Sequence, residues 1–209
     1  MTEGLYGWRT GLFFIAVISV AMGAWYFGNS TGSSAAVQTA LVLDARETRI
    51  MEHVIERNPD ATIKDFSGFP RTLLSVSAKY NLDYRLIMAL IDKESEFNPK
   101  AVGRAGEIGL MQIMPDTAKL LTITLKLDWT PPTPKKGGGY ATLGTLGNPQ
   151  ANIEIGVAFL AERIEKFGDV KTGLRAYNRG DAAARQHRPG DRYAEGVALN
   201  YMALVPRMP

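Results

Sequence analysis

Residues 86–102, LIMALIDKESEFNPKAV, carry the pattern that decides the fold. Ile87, Ile91 and Glu94 recur at i, i+4 and i+7, and Leu90 lies one turn before Glu94, so the four share one face of a helix. Asp83 suits the N-cap, and the pattern predicts a helix from Tyr84 to about Phe97. Asp92 and Glu96 fall about 200° away from the apolar stripe. Glu94 alone puts a carboxyl on it. Desolvation there disfavours the charged form and raises the pKa, which is what a general acid needs near neutrality. A lone acid at the end of an apolar face also suits an ordinary edge residue, so this helix by itself leaves both readings open.

The flanking sequence is helical as well. Pro70, Leu73, Leu74 and Ala78 mark a preceding helix that ends near Asn81. Helices are expected over about 117–125, 153–167, 170–178 and 191–204, with Ile153, Val157, Leu160 and Ile164 forming the stripe of the longest. PPTPKKGGGYATLG, residues 131–144, interrupts them as a loop with a small hairpin around residues 140–146. No sustained strand alternation occurs, so the class is mainly α. The compact domain is expected to span 66–209, and Ala35–Arg57 reads as a spacer helix within a 29–65 linker region.

Composition excludes many chemistries. Among 209 residues there is no cysteine and there are two histidines, His53 and His187. Disulfides, thiolate metal sites and a cysteine nucleophile are thereby ruled out, and a histidine-rich metal site has no spaced partner. No phosphate-cradling loop, GxGxxG, GxSxG or SxxK is present. With 24 Lys+Arg against 21 Asp+Glu the net charge is +3, and no basic run resembles a nucleic-acid patch. No metal, cofactor or nucleic acid is expected.

Residues 10–28 are free of charge and nearly all apolar. Nineteen helical residues at about 1.5 Å each span the ~30 Å hydrocarbon layer, and Trp8, Trp25 and Tyr26 suit its two interfaces. Arg9 precedes the run and no charge follows until Asp44, which puts residues 1–9 in the cytoplasm and the remainder outside it. The expectation is a single-pass anchor in a bacterial inner membrane with a periplasmic domain. A cleaved secretory signal is the alternative.

Four blocks, LIMALIDKESEFNPKAV (86–102), GEIGLMQIMPDTA (106–118), NPQANIEIGVAFL (148–160) and AYNRG (176–180), resemble in content and order the catalytic domain of the soluble lytic transglycosylases, whose fold is similar to goose-type lysozyme. The resemblance covers roughly 66–205. It implies a lysozyme-like helical domain that cleaves the bond between MurNAc and GlcNAc in peptidoglycan strands and closes a 1,6-anhydro ring. Glu94 matches the single catalytic acid/base, and Ser95 its neighbour near the reacting sugar. Met111 and Gln112 match residues lining the glycan groove, and Tyr177 and Asn178 the motif whose tyrosine approaches the catalytic carboxyl. Tyr193 resembles the tyrosine of a late Tyr-Val pair, with Ala194 in place of Val. Arg179 stands where a small residue is usual, adding charge at that edge of the groove. Two other readings remain: a lysozyme-like hydrolase, which would need a second carboxylate such as Glu107, Asp116 or Asp191, and an inactive glycan-binding assembly protein. Anchor and size together suggest local wall opening for a secretion or conjugation machine or a phage particle.

Overall fold

In the computed structural model, residues 34–62, 64–186 and 192–208 are described, with side chains from residue 45 onward. The expected tail, membrane span and 29–33 linker lie outside these residues, as do His187 and Asp191. Among the described residues no helix is long and apolar enough to cross a membrane. The chain divides into two units, 1–43 and 44–209. Of the first, only helical backbone from Ser34 is described.

Helix α1 is Ser34–Arg57. There follow α2 (Phe69–Lys79), α3 (Tyr84–Ser95), α4 (Pro115–Leu125), a hairpin of β1 (Thr133–Pro134) and β2 (Tyr140–Thr142), a 3-10 turn (Gly144–Gly147), α5 (Pro149–Phe167), α6 (Val170–Arg179), the one-turn α7 (Asp181–Ala184) and α8 (Arg192–Leu204). The hairpin pairs antiparallel, Thr133 opposite Thr142 and Pro134 opposite Tyr140.

Local chemistry explains these boundaries. The Asp83 carboxylate accepts from Arg85 N at 2.9 Å and starts α3. Asn148 does the same for α5 through Ala151 N at 2.9 Å, with Pro149 following as a first helical residue. That pair moves the start of α5 four residues ahead of the position expected from its apolar stripe. Asp169 caps α6 through Thr172 N. Helix α3 stops because Glu96 and Phe97 both take positive φ, 50° and 60°.

One apolar core joins the elements. Ile87, Met88, Leu90 and Ile91 of α3 pack with Leu73 of α2, Ile153, Val157 and Leu160 of α5, and Val197 of α8. Helix α5 approaches the 109–113 loop so closely that a Cβ on Gly156 would sit 2.4 Å from Met111 Sδ. The compact unit starts at Asp44 rather than at Phe66, because Ile50 and Val54 are fully buried beside Phe66 and Phe69. The last turns of α1 are therefore part of this core.

His53 marks the docking of α1. Its ring is 6% exposed, and neither nitrogen has a hydrogen-bond partner. It meets Phe97 edge-on at 5.4 Å. Burial holds its pKa below the ordinary 6.5, against the raising pull of Asp92 and Glu56, while Arg207 and Arg57 push it the same way as burial. A lowered folded pKa means that the unfolded chain takes up the proton first as pH falls. Stability is thus expected to be flat with respect to this group above pH 6.5 and to decline below it. His53→Leu should remove that part of the decline in denaturation midpoints measured between neutral and mildly acid pH.

Candidate active site

Glu94 lies half-buried at the last full turn of α3, one residue before the helix-ending Ser95. The Tyr193 hydroxyl, from α8, donates to Glu94 Oε1. Burial is the largest influence on the Glu94 carboxyl and raises its pKa; the Tyr193 hydrogen bond opposes this, the Glu107 charge adds to it, and Lys93 opposes it. Burial prevails, as the position on the apolar stripe leads one to expect.

A cleft of about 330 Å³ opens over Glu94. One wall is the stretch from Gly103 to Thr117, contributing Arg104, Glu107, Gln112 and Met114; the other comes from Phe159 of α5 and from Tyr177, Asn178 and Gly180 at the end of α6. The first wall is a tight backbone structure. Ile108 and Ile113 exchange N–H to carbonyl bonds of 3.0 and 3.1 Å. Between them Gly109 has φ +83°, and a Cβ there would lie 2.2 Å from Asn152 Nδ2 and 2.6 Å from the Leu146 carbonyl, so only glycine fits. Gln112 takes φ 48° without being glycine, a conformation that costs on the order of 1 kcal/mol and persists where its surroundings fix it. Its Nε2 donates to the carbonyls of Gly109 at 2.9 Å and Ala101 at 3.2 Å.

The structure gathers the expected residues but distributes their tasks differently. Gln112 and Asn178 line the cleft with Glu94. Met111 does not: its side chain is fully buried against Gly156, and its backbone does the work. Its N–H donates to Asn152 Oδ1 at 2.9 Å, and its carbonyl accepts from the Tyr177 hydroxyl at 2.6 Å. Tyr177 therefore bonds the loop next to the acid, not the acid itself. Burial and the nearby Glu94 charge push its phenol well above the ordinary range, so it remains a donor. Ser95 Oγ donates to Leu110 O at 2.7 Å and to Ile91 O at 3.2 Å, tying the end of α3 to the same loop. Tyr193 is the side chain that bonds Glu94 directly. Arg179 is exposed and absent from the cleft lining, between Asn178 and Gly180, which are part of it.

One contributor, Asn152, was given no role by the sequence reading, and another, Glu107, was weighed there only as a second carboxylate for hydrolysis. Asn152 is 0% exposed, and its Nδ2 donates to Ile108 O at 3.0 Å and Leu146 O at 2.9 Å while Oδ1 accepts from Met111. Its signal was a carboxamide on the core face of α5, beside Ile153 and Gly156. Glu107 joins Glu94 in the cleft. Among the described residues no cluster of three or more His, Cys, Asp or Glu side chains is arranged to hold a metal.

The arrangement offers one partly desolvated carboxyl, its pKa raised by burial, at the floor of an open groove, steadied by a tyrosine and walled by amides. That is acid/base equipment. The chain belongs to the family described as "Transglycosylase SLT domain", which matches residues 72–196. It is 38% identical over 109 residues to the transglycosylase of Enterobacteria phage PRD1, covering 52% of this chain and 34% of that protein. It is 34% identical over 132 residues to membrane-bound lytic murein transglycosylase C of Histophilus somni, covering 59% and 33%. To the soluble lytic murein transglycosylase of Escherichia coli K12 it is 38% identical over 99 residues, covering 47% and 14%. The chain thus spans about a third, or less, of the length of these relatives. Its fold is similar to that of an inactive mutant of lytic transglycosylase Slt from Pseudomonas aeruginosa, with a TM-score of 0.53, 24% identity, and coverage of 66% of this chain and 24% of the other.

The Tyr193 bond favours the ionised form of Glu94, so deleting the hydroxyl should raise the carboxyl's pKa further. Tyr193→Phe is expected to move the Glu94 titration, followed by carboxyl-carbon NMR, to higher pH. A shift to lower pH would show that the hydroxyl supports the protonated form instead.

Proposed function

We propose that the protein is a peptidoglycan lytic transglycosylase with Glu94 as its single acid/base. The observation that carries this reading is the half-buried Glu94 carboxyl, its pKa raised by burial, at the floor of the cleft. Glu94 gives its proton to the glycosidic oxygen between MurNAc and GlcNAc as the bond from that oxygen to C1 of MurNAc breaks. The sugar passes through an oxocarbenium-like state. The C6 hydroxyl oxygen of the same sugar then bonds C1, and its proton returns to the Glu94 carboxylate. Because the nucleophile is already attached to the reacting ring, its effective concentration is very high. Gln112 and Asn178 serve as groove contacts to the sugars. Tyr193 holds the carboxyl in place, while Ser95, Met111 and Tyr177 act one step removed, by fixing the loop that carries Gln112.

A second reading has one observation in its favour. Glu107 shares the cleft with Glu94, and a glycosidase that hydrolyses its substrate uses two carboxyl groups. The products separate the two. Digestion of purified peptidoglycan is expected to release muropeptides ending in 1,6-anhydroMurNAc, lighter by one water than hydrolysis products. Reducing ends alone would replace transglycosylation with hydrolysis. Glu94→Gln should abolish turnover, by about a hundredfold or more, because an amide neither gives nor accepts this proton. Its melting temperature should be unchanged or slightly higher, since the substitution removes a desolvated acid. Full activity in that variant would refute the site.

We also infer a membrane setting. Residues 10–28 serve as a single-pass anchor that holds the domain on the periplasmic side of a bacterial inner membrane, for local wall opening by an envelope-crossing machine or a phage. The uncharged, apolar run supports this. So does the company of a membrane-bound relative and a phage-borne one. Full-length protein is expected in the membrane fraction after salt and carbonate washes. Recovery of a shortened chain in the soluble periplasmic fraction would establish a cleaved signal in place of the anchor.

A further inference from the structure

The cleft wall contains a small device that the acid/base chemistry of Glu94 does not by itself require. Val102 bridges Ile108, and Gly103 N donates to Glu107 O at 2.8 Å, so residues 103–107 form a closed turn. Within it the Glu107 side chain folds back on its own turn. Oε2 accepts from Ala105 N at 3.0 Å. It lies so close over Gly103 that a Cβ there would be 2.2 Å from Oε2 and 2.8 Å from Gln112 Oε1. Gly106 N donates to Gly103 O at 3.2 Å, and the Tyr140 hydroxyl of β2 donates to Gly106 O at 3.2 Å, which ties the turn to the hairpin. Glu107 is therefore held in one place. Among the described residues it has no ion-pair partner, although Arg104 of the same turn also lines the cleft.

A carboxylate fixed by its own turn and left without a counter-ion is an electrostatic element, and it faces the same cavity as Glu94. We propose that Glu107 is a positioning residue for the reaction, a fixed negative charge on the cleft wall that keeps the Glu94 proton in place until the glycosidic oxygen takes it. The proposal rests on Glu94 being the acid/base.

Its logic follows from the double use of one group. The carboxyl must be protonated when substrate arrives and must later recover a proton from a sugar hydroxyl. Both steps are served when its proton affinity is raised toward the working pH. The groups facing Glu94 divide accordingly: burial and Glu107 raise its pKa, whereas Tyr193 and Lys93 lower it. Tyr177, well above the ordinary phenol range, contributes no charge of its own. Glu107 is thus the neighbouring charge that adds to burial against the tyrosine bond.

Glu107→Gln tests this cleanly, since an amide oxygen still accepts from Ala105 N–H and the shape is kept while the charge is lost. Full-length protein in detergent would be assayed on solubilised peptidoglycan strands across pH, with products read by mass spectrometry. The same variant would be titrated without substrate by carboxyl-carbon NMR of Glu94. Activity that needs protonated Glu94 is lost as pH rises through its pKa. The expected result is that this alkaline limb and the NMR midpoint both move to lower pH. The rate at neutral pH should fall by roughly three- to tenfold, with the product species unchanged and the melting temperature preserved. Glu107→Asp, which restores the charge, should return the limb toward its wild-type position. A lowered rate with limb and midpoint unmoved would overturn the proposal and leave Glu107 a structural part of the turn. A change in product species would also overturn it, because Glu107 would then be directing water. A wild type that yields no cleavage product while the Glu94 midpoint still moves in the variant would sink the transglycosylase reading and not the coupling between the two carboxyl groups.

Discussion

The amide of Asn152 is shut off from solvent, yet it satisfies three backbone groups belonging to two separate loops. Interior backbone N–H and carbonyl groups without partners cost about 1–3 kcal/mol each, and the isolated bridges at Ile108 and the bond from Gly109 N to Ala101 O leave the Met111 N–H and the Leu146 carbonyl to be met by Asn152. One side chain on α5 therefore completes the bonding that lets this loop enter the interior. Once it does, the Met111 carbonyl is placed for the Tyr177 hydroxyl and the Leu110 carbonyl for Ser95, so α3, α5 and α6 all close on the same few atoms. Glycine at 109 is a consequence of that closeness, because the Asn152 amide occupies the space any Cβ would need.

The site sits on several costs accepted together. Glu94 is desolvated, Gln112 is held in the left-handed region, and Glu96 and Phe97 are both at positive φ just beyond the acid. Such features persist when rigid surroundings over-determine them. Phe97 is fully buried and packs edge-on against Phe69 and His53, which pins the strained turn that ends α3. The docked turns of α1 thus bear on the Glu94 end of α3 through two rings. His53 accepts an environment poor in hydrogen-bond partners as part of that contact.

Much of this was readable in the residues and some was not, for identifiable reasons. The α3 stripe placed Glu94 correctly because a helix converts sequence spacing directly into a face. The cap Asp83 was legible through the chemistry of its side chain, whereas Asn148 was passed over because the apolar stripe of α5 begins only at Ile153. The burial of the last turns of α1 was not legible, because Ile50, Val54 and Ile55 look the same on a spacer helix and on a docked one. Only tertiary contact distinguishes them, burying the first two and leaving Ile55 at 45% exposure. Met111 was assigned to the groove by its place in a motif, whereas the fold turns its side chain inward and uses its backbone. Tyr193 lies 99 residues from Glu94, and no local pattern reports so distant a pairing.

Those distant contacts also explain how the cleft behaves as a unit. Its 103–113 wall is bonded to α5 through Asn152, to α6 through Tyr177, to α3 through Ser95 and to the β hairpin through Tyr140. A segment with so many ties to different elements has little freedom to shift relative to the acid. The opposite side is held more lightly: Asn178 and Arg179 are exposed at the end of α6, where Gly180 turns the chain away with φ 78°. The two walls are thus unequally held, with Gln112 and Glu107 on the fixed side and Asn178 on the open one.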